Sequence, residues 1–254
     1  MRNFGLVGNK LSHSFSKKFF SNKFLTENIS AQYNNFELSD INQIRNLFKS
    51  KIISGLNVTV PYKKAVIKHL DSLDPLSKKI SAVNTIYPTY ENGKLTHLKG
   101  FNTDLYGFKQ LVKPYLKSHH ERALVIGTGG ASAAVAYVLR EYNIDVNFIS
   151  RSPKLDQGNI FSWDAINDYM ISNHLLIINT TPLGMFPNND QLINIPYQAI
   201  NKNHLVIDLI YNPIKTNFLK NAQKNNAQVL NGHQMLIHQA IKAWNIWNSS
   251  TIIK

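Results

Sequence analysis

A short glycine-rich loop between an apolar stretch and a run of small residues constrains the fold of this chain more than any other feature. Residues 123–126 are apolar, Gly127-Thr128-Gly129-Gly130-Ala131 follows, and a helical pattern begins at Ser132. In such a strand–turn–helix, Gly127 permits a tight turn and Gly129 lets backbone N–H groups approach a pyrophosphate, which the helix N-terminus also attracts. The loop therefore predicts a dinucleotide-binding unit, with an ordinary turn between a strand and a helix as the alternative.

The residues after the next predicted strand indicate which dinucleotide would bind. Ser150-Arg151-Ser152 follows the strand at residues 144–149, and Lys154 comes shortly afterwards. A carboxylate at this point would accept from the ribose 2′-hydroxyl of NAD, whereas an arginine suits the 2′-phosphate of NADP by its charge and forked donors. The sequence thus favours NADP, and the alternative is that Arg151 is a solvated loop residue.

The rest of the chain alternates short strands with helical patterns in two blocks, which is typical of the α/β class. The predicted strands are Phe4–Val7, Tyr33–Glu37, Gly55–Val60, Ala82–Tyr87, Leu95–Lys99, Ala123–Ile126, Ile144–Ile149, Leu175–Asn179 and Leu205–Leu209. The predicted helices are Ser16–Glu27, Asp40–Ser50, Ser132–Tyr142 and Met235–Trp247. Asn92-Gly93 predicts a hairpin in the first block. The two blocks meet near residues 100–105.

Charge and composition limit the kinds of molecule that this protein is expected to bind. Over 254 residues, 28 Lys and Arg against 15 Asp and Glu give a formal net charge of +13, which favours an anionic partner. The basic residues are scattered, without a recognisable nucleic-acid module, and no window approaches the ~20 apolar residues of a membrane span. We therefore expect an anionic small molecule as the partner, with neither nucleic acid nor membrane.

The same composition bears on compartment and on metal chemistry. The chain has no cysteine, which excludes disulfides and thiolate sites and favours a reducing compartment. Neither His119-His120 nor the pair His233 and His238 has the spacing of helical metal ligands, so no metal site is expected. The N-terminal residues lack the apolar run of a signal peptide, and we expect a cytoplasmic protein or a mature organellar one.

A lysine and several polar side chains in the first block suggest proton-transfer chemistry. Asn57 and Thr59 share one face of a predicted strand, and Lys63 lies in the helical turn that follows, where a cation is unfavourable to the helix dipole. Asn84 and Asp104 lie in two later polar segments. An amine beside a carboxylate could move the protons of a polyhydroxylated substrate. Turn or cap chemistry at Asn84 and Asp104 is the alternative, and spacing alone leaves both open.

Short motifs along nearly the whole chain point to one protein family. In chain order they are Gly5-Leu6-Val7-Gly8, His13-Ser14-Phe15-Ser16, Asn57 to Lys63, Ala82-Val83-Asn84-Thr85, Asn102-Thr103-Asp104, Gly127 to Ser132, Asn179 to Met185, Asp208 to Pro213, and Gly232 to Gln239. Several motifs in this order are far more specific than any one of them. The chain resembles the shikimate dehydrogenases, which act in the pathway to chorismate and the aromatic amino acids.

The resemblance implies a two-domain α/β enzyme that reversibly reduces 3-dehydroshikimate to shikimate with NADPH, as a cytoplasmic monomer or homodimer. It implies an N-terminal α/β substrate domain (1–103 with 236–254), a Rossmann-like NADP domain (104–235), a C-terminal helix that returns to the first domain, and a site in the cleft between the domains.

Two alternatives remain. A quinate/shikimate dehydrogenase that uses NAD would carry an acid where Arg151 stands, and a non-catalytic NADP-binding regulator would lack Lys63 or Asp104.

The resemblance also implies a role for each matching residue. Lys63 and Asp104 would form the acid–base pair, and Ser14 and Ser16 would hold the substrate carboxylate. The residues that hold the ring hydroxyls would be Asn57, Thr59, Asn84, Asp104 and Gln239, with Tyr211 lining the site. The residues along the nicotinamide would be Thr180, Met185, Ile210 and Gly232, beside the dinucleotide contacts expected of Gly127, Thr128, Gly129, Gly130, Ala131, Ser150, Arg151 and Lys154.

Overall fold

The computed structural model describes residues 1–11, 14–153 and 158–249, and these divide into two compact units. The first unit comprises Met1–Gly107 together with the described residues from Leu236 onward, and the second comprises Phe108–Met235. Both boundaries fall inside helices: the first lies at 107/108, where the sequence predicts 103/104, and the second lies at 235/236, as in the sequence prediction. No helix in the described residues is long and apolar enough to cross a bilayer.

A mixed sheet organises the first unit. Its strands within the described residues are β1 (Arg2–Gly8), β2 (Ala31–Glu37), β3 (Gly55–Val58), β4 (Ser72–Leu73), β5 (Thr85–Glu91) and β6 (Lys94–Phe101), in the order β2-β1-β3-β5-β6-β4. β1 is parallel to β2 and β3, and β5 is antiparallel to β3 and β6. The helices that begin in this unit are α1 (Phe15–Thr26), α2 (Ile44–Ser50), α3 (Tyr62–Ala65), α4 (Pro75–Ile80) and α5 (Asp104–Val112).

Local backbone chemistry explains where these elements begin and end. Asn92 and Gly93 have φ values of 50° and 75°, which allows the tight turn between β5 and β6 that the sequence predicts. β3 is two residues shorter than predicted because the N–H of Tyr62 donates to the carbonyl of Thr59 and turns the chain into α3. β5 begins three residues later than predicted, and the N–H of Val83 donates instead to the carbonyl of Lys63. This bond joins the segment before β5 to α3.

A parallel sheet organises the second unit. Its strands within the described residues are β7 (Arg122–Ile126), β8 (Asp145–Ser150), β9 (Ile160–Ser162), β10 (Leu176–Asn179), β11 (Leu205–Asp208) and β12 (Gln228–Asn231), in the order β12-β11-β10-β7-β8-β9. The helices are α6 (Gly130–Glu141), α7 (Asp168–Asn173), α8 (Asn217–Lys224) and α9 (His233–Trp247), which continues into the first unit. Every residue of β10 and β11 is buried, as expected for strands covered on both faces.

The strand order of the second unit is that of a doubly wound dinucleotide-binding sheet. The order reverses between β7 and β10, and ligands of such sheets bind beyond the carboxyl ends of the strands at this point. The loops that follow β7, β8, β10 and β11 all leave from that edge, because neighbouring strands are parallel. The predicted α/β class with a Rossmann-like unit is confirmed.

Helix α9 completes the aromatic core of the first unit. The Trp247 ring centroid lies 5.0 Å from that of Phe4 and 5.4 Å from that of Phe20, and the Trp244 ring centroid lies 5.5 Å from that of Phe4. The indole N–H of Trp247 donates to the carbonyl of Ile86 in β5 at 3.1 Å. Tryptophan side chains bury a large apolar area, so Trp244 and Trp247 form a major part of this core. The predicted return of the C-terminal helix to the first domain is therefore confirmed.

Candidate active site

Lys63 and Asp104, which lie 41 positions apart in the chain, form an ion pair in the first unit. The Nζ atom of Lys63 lies 2.7 Å from Oδ2 of Asp104. The Asp104 side chain is 1% exposed and that of Lys63 is 18% exposed. The positive charge of Lys63 therefore compensates the negative charge of a buried carboxylate. An ammonium group has three protons, and this contact uses one of them. Lys63 can therefore also donate to an oxygen atom of a bound molecule.

Asn102, rather than Asp104, caps the start of α5. Its Oδ1 accepts from the backbone N–H groups of Asp104 at 2.9 Å and Leu105 at 3.3 Å. Its Nδ2 donates to the carbonyl of Ala82 at 3.0 Å. Because the cap is supplied by another side chain, the Asp104 carboxylate is available for Lys63. The Asp104 side chain is therefore not the cap of this helix.

Asn84 orients the other oxygen of the Asp104 carboxylate. Its Nδ2 donates to Oδ1 of Asp104 at 2.9 Å, and its own Oδ1 accepts from the N–H of Thr103 at 2.8 Å. The hydroxyl of Thr85 donates to the same Oδ1 at 3.0 Å. Asn84 is buried, and its amide is held from both sides. The carboxylate is therefore fixed by Asn84 on one oxygen and by Lys63 on the other.

Asn57 extends this hydrogen-bonded group to β2. Its Nδ2 donates to the Thr85 hydroxyl at 3.1 Å and to the carbonyl of Asn84 at 3.3 Å, and its Oδ1 accepts from the Tyr33 hydroxyl at 2.8 Å. Thr59, two residues further along the same face, is half-buried, and its N–H donates to the carbonyl of Val7 at 2.9 Å. Hydrogen bonds therefore connect four of the predicted substrate residues in the first unit, namely Asn57, Lys63, Asn84 and Asp104.

The two serines at the start of α1 have different partners. The Ser14 hydroxyl oxygen accepts from the N–H of Lys17 at 3.1 Å, so Ser14 is the N-cap of α1. An accepted bond leaves the hydroxyl proton of Ser14 available for another acceptor. Ser16 is half-buried in α1, and burial raises the pKa of Tyr33 while the Ser16 side chain lowers it by a smaller amount. Gln239 is half-buried on α9, in the part of that helix that belongs to the first unit.

The glycine loop of the second unit has the predicted geometry at its first glycine. Gly127 has a φ of +107°, which disfavours a side chain, and its N–H donates to the carbonyl of Ile149 at 2.9 Å. A Cβ atom there would lie 2.8 Å from Oγ1 of Thr180. The Thr180 hydroxyl itself donates to the carbonyl of Ile126 at 2.7 Å. The loops after β7 and β10 are therefore packed directly against each other.

The start of α6 fits the pyrophosphate of a dinucleotide. Gly129 caps this twelve-residue helix without a side-chain hydrogen bond, and the first turn carries no acidic residue. A Cβ atom on Gly129 would meet nothing within 4 Å, so the space in front of the helix is open. Ser132 occupies the third fingerprint position, where glycine or alanine is usual, and its hydroxyl donates to the carbonyl of Gly129 at 2.6 Å. N–H donors and the helix dipole can therefore act on an anion there.

Arg151 lies exposed directly after β8. Ser150, which ends that strand, accepts with its hydroxyl oxygen from the N–H of Ser152 at 3.2 Å, and this closes a small turn around Arg151. In the portion of the chain that the structure describes, Arg151 forms no ion pair that would compete for a phosphate. Lys154, the second predicted contact of the 2′-phosphate, lies outside the described residues.

The Asp208 side chain hydrogen-bonds to residues of the loops that carry the predicted nicotinamide residues. Its Oδ1 accepts from Nδ2 of Asn179 and from the N–H of Ile210, both at 3.0 Å, and its Oδ2 accepts from the Thr216 hydroxyl at 2.6 Å. Burial raises the pKa of Asp208 to about 6, because desolvation of the carboxylate outweighs these three hydrogen bonds. The loops after β10 and β11 are therefore joined through one buried carboxyl group.

The four predicted nicotinamide residues lie in or beside these loops. Thr180 and Met185 follow β10, and Met185 is exposed. Ile210 is buried after β11, and its carbonyl accepts from the N–H of Gly232 at 3.1 Å. A Cβ atom on Gly232 would collide with the carbonyl oxygen of Leu209, so the close approach of the two backbones requires glycine. Tyr211, predicted to line the substrate site, is half-buried in the same loop of the second unit.

Sequence reasoning missed several residues that hold the site together. In the first unit these are Tyr33, Thr85 and Thr103, and in the second they are Asn179, Asp208 and Thr216. Thr85, Thr103, Asn179 and Asp208 stand inside motifs quoted above, so their position in the sequence was a signal. Tyr33 is the one buried residue of β2, and its position in the sequence carried only a weak signal. In residues 1–11, 14–153 and 158–249 the structure has no group of three or more His, Asp or Glu side chains that could hold a metal ion.

Comparison with known proteins places the chain in a family. Residues 6–86 match the shikimate dehydrogenase substrate binding domain. The chain is 35% identical to the NADP(+) shikimate dehydrogenase of Methanosphaera stadtmanae, over 97% of this chain and 91% of that protein. It belongs to the shikimate dehydrogenase family.

Further members of the shikimate dehydrogenase family agree with this placement. The NADP(+) enzyme of Clostridium beijerinckii is 38% identical over 97% of this chain and 92% of its own length. The crystal structure of the Thermus thermophilus shikimate 5-dehydrogenase, in complex with NADP(H) and shikimate, is similar with a TM-score of 0.83. That enzyme is 27% identical, and the match covers 98% of this chain and 94% of that one.

Proposed function

We propose that this protein catalyses the reversible, NADPH-dependent reduction of 3-dehydroshikimate to shikimate, a step toward chorismate and the aromatic amino acids. The buried Lys63–Asp104 ion pair is the observation that carries this proposal, since it places a proton donor beside a fixed carboxylate. It occurs in a chain whose relatives at 35% and 38% identity are NADP(+) shikimate dehydrogenases along nearly their whole length. Both ligands are anionic small molecules, which agrees with the net charge of +13.

The acid–base step follows from the partners of the ion pair. When bound, the reduced nicotinamide supplies the hydride for the carbonyl carbon. Lys63 donates a proton to the carbonyl oxygen, and Asp104 stabilises the charged ammonium and accepts from a neighbouring hydroxyl of the substrate. In the reverse direction Lys63 takes the proton of the hydroxyl group as the hydride leaves. General acid–base groups of this kind contribute about 10²–10⁴-fold to the rate.

The remaining residues hold the two ligands. Hydroxyl groups of Ser14 and Ser16 bind the substrate carboxylate by charge-assisted hydrogen bonds. The side chains assigned to the ring hydroxyls are Asn57, Thr59, Asn84, Asp104 and Gln239, with Tyr211 beside the ring. The residues assigned to NADP are the loop Gly127-Thr128-Gly129-Gly130-Ala131 for the pyrophosphate, Ser150, Arg151 and Lys154 for the adenosine 2′-phosphate side, and Thr180, Met185, Ile210 and Gly232 for the nicotinamide. The first unit is accordingly the substrate domain and the second the NADP domain.

The two alternatives are less favoured. A quinate/shikimate dehydrogenase that prefers NAD needs a carboxylate for the ribose 2′-hydroxyl, and an exposed arginine follows β8 instead. A non-catalytic regulator has no need of a proton donor, and the lysine and aspartate of the acid–base pair are both present and in contact.

A direct assay tests the proposed activity. Purified protein is mixed with shikimate or quinate, each with NADP or NAD, and the nicotinamide absorbance is followed. We expect reduction of NADP by shikimate to have the highest kcat/KM of the four combinations. Faster reaction with quinate or with NAD supports the first alternative, and NADP binding without turnover of either substrate supports the second.

We also propose that the protein is cytoplasmic and works as a monomer or homodimer. Its small anionic ligands and its lack of cysteine agree with a reducing compartment. Size-exclusion chromatography with light scattering measures the mass against 28.9 kDa per chain, and cell fractionation locates the activity.

A further inference from the structure

Tyr33 is a buried tyrosine of β2 whose hydroxyl group hydrogen-bonds to Asn57 of β3. Its side chain is 3% exposed, and its ring stacks on Phe20 with centroids 4.8 Å apart and planes 12° apart. The hydroxyl oxygen lies 2.8 Å from Oδ1 of Asn57. Because the ring is packed within the aromatic core of the first unit, the position of the hydroxyl group is fixed.

The direction of each hydrogen bond follows from groups that can only donate or only accept. The carbonyl of Asn84 can only accept, so the group of Asn57 that faces it is Nδ2 and the group that faces Tyr33 is Oδ1. Since Oδ1 can only accept, Tyr33 donates its single proton there.

The same reasoning shows what the asparagines present to a ligand. The second Nδ2 proton of Asn57 goes to the Thr85 hydroxyl, so both amide protons have acceptors and a lone pair of Oδ1 remains. Asn84 uses one amide proton for Asp104 and keeps the other. Asn57 is therefore set as an acceptor and Asn84 as a donor for the hydroxyl groups of a bound molecule.

We propose that Tyr33 is a positioning residue that holds the Asn57 side-chain oxygen as an acceptor for one hydroxyl group of the substrate. This inference rests on the proposed function. Burial raises the pKa of Tyr33 far above its ordinary value, so the hydroxyl keeps its proton at neutral pH.

The test compares Tyr33→Phe with Tyr90→Phe in the full chain. Tyr33→Phe keeps the stacked ring and removes the hydroxyl group. Tyr90→Phe is the matched control, because its half-buried hydroxyl bonds only to the backbone N–H and carbonyl of Ile53, at 3.0 and 3.2 Å, in the described residues. We expect Tyr33→Phe to raise the KM for shikimate by roughly 3- to 10-fold, the usual worth of one hydrogen bond. The kcat and the KM for NADP should stay within about twofold, and Tyr90→Phe should leave all three unchanged.

A double-mutant cycle with Asn57→Ala tests whether Tyr33 acts through Asn57. In that background, Tyr33→Phe should have little further effect on the KM for shikimate. An equal effect of Tyr33→Phe in both backgrounds overturns the proposal, as does a KM for shikimate that is unchanged in the single variant or that rises together with the KM for NADP. If the wild-type protein does not oxidise shikimate, the proposed function fails before Tyr33 is tested, so the two failures are distinguishable.

Discussion

Replacing Asp208 by asparagine should change how the stability of the second unit depends on pH. The pKa of this buried carboxyl group is raised from 3.8 to about 6, a difference of roughly two units or roughly 3 kcal/mol. Because the folded-state pKa lies above the unfolded one, the contribution to stability is fully present below about pH 4 and is lost as the pH rises through about 6. Acidification should therefore stabilise the wild type relative to Asp208→Asn.

The surroundings of residue 208 can accommodate either the carboxyl group of the wild type or the amide of Asp208→Asn without rearrangement. The comparison therefore isolates the effect of the titration. Oδ1 of Asp208 accepts from two N–H donors, and an amide oxygen can do the same. Oδ2 faces the Thr216 hydroxyl, which can reverse its role and accept from a protonated carboxyl or an amide. The variant thus resembles the neutral acid in shape and hydrogen bonding, and its stability should lack this titration.

Urea unfolding at several pH values, followed by circular dichroism, measures the effect. The difference in the free energy of unfolding, wild type minus Asp208→Asn, should increase by roughly 1 to 2 kcal/mol between about pH 7 and pH 5. Burial lowers the pKa of His120, His174 and His204, which weakens the fold on acidification, but these residues are present in both proteins and cancel. A difference that stays constant across this range would refute the reasoning.

Five further substitutions test the site. Lys63→Ala should lower kcat by about 10²–10⁴-fold, with less effect on the KM for shikimate, and a near-normal kcat would exclude Lys63 as the proton donor. Ser14→Ala should lower the unfolding free energy by about 1 kcal/mol because the cap of α1 is lost. Both Ser14→Ala and Ser16→Ala should raise the KM for shikimate by roughly 10-fold or more, and a loss of stability with an unchanged KM would leave Ser14 only the capping role. Gln239→Ala should raise the KM for shikimate, and equal KM values in variant and wild type would contradict its contact with substrate. Arg151→Ala should raise the KM for NADP by roughly 10- to 150-fold and leave NAD use little changed, whereas an unaltered preference would mean that other residues hold the 2′-phosphate.

Local signals were enough to predict most of the longer elements. The apolar run before Gly127 and the small residues after it gave β7 and α6 nearly residue for residue, because the turn chemistry lies within the loop itself. Asn92-Gly93 likewise predicted its hairpin. Sequence reasoning omitted β4, β9 and β12, which are two to four residues long. Such short strands are defined by hydrogen bonds to distant partners, and a period of two residues cannot be recognised over so few positions.

The residue types of the site could be predicted from the sequence, whereas the hydrogen bonds between their side chains could not. The resemblance named Lys63, Asn84 and Asp104, but only the structure places their side chains within hydrogen-bond distance and identifies Asn102 as the cap of α5. Tyr33 was missed because a buried tyrosine on a strand is most often only part of the core. Its role depends on Asn57, which lies 24 positions away on another strand.

The first unit is built from two separate stretches of the chain, and this affects how the chain folds during synthesis. Residues 1–107 leave the ribosome before any part of α9, so the surface that Trp244 and Trp247 later cover, including Phe4 and Phe20, stays open to water or chaperones. The second unit is continuous from Phe108 to Met235 and is complete when α9 emerges. The unit translated second is therefore able to fold first, in contrast to the usual order from the N-terminus. A ribosome that stalls before α9 leaves a nascent chain with one finished domain and one exposed aromatic surface.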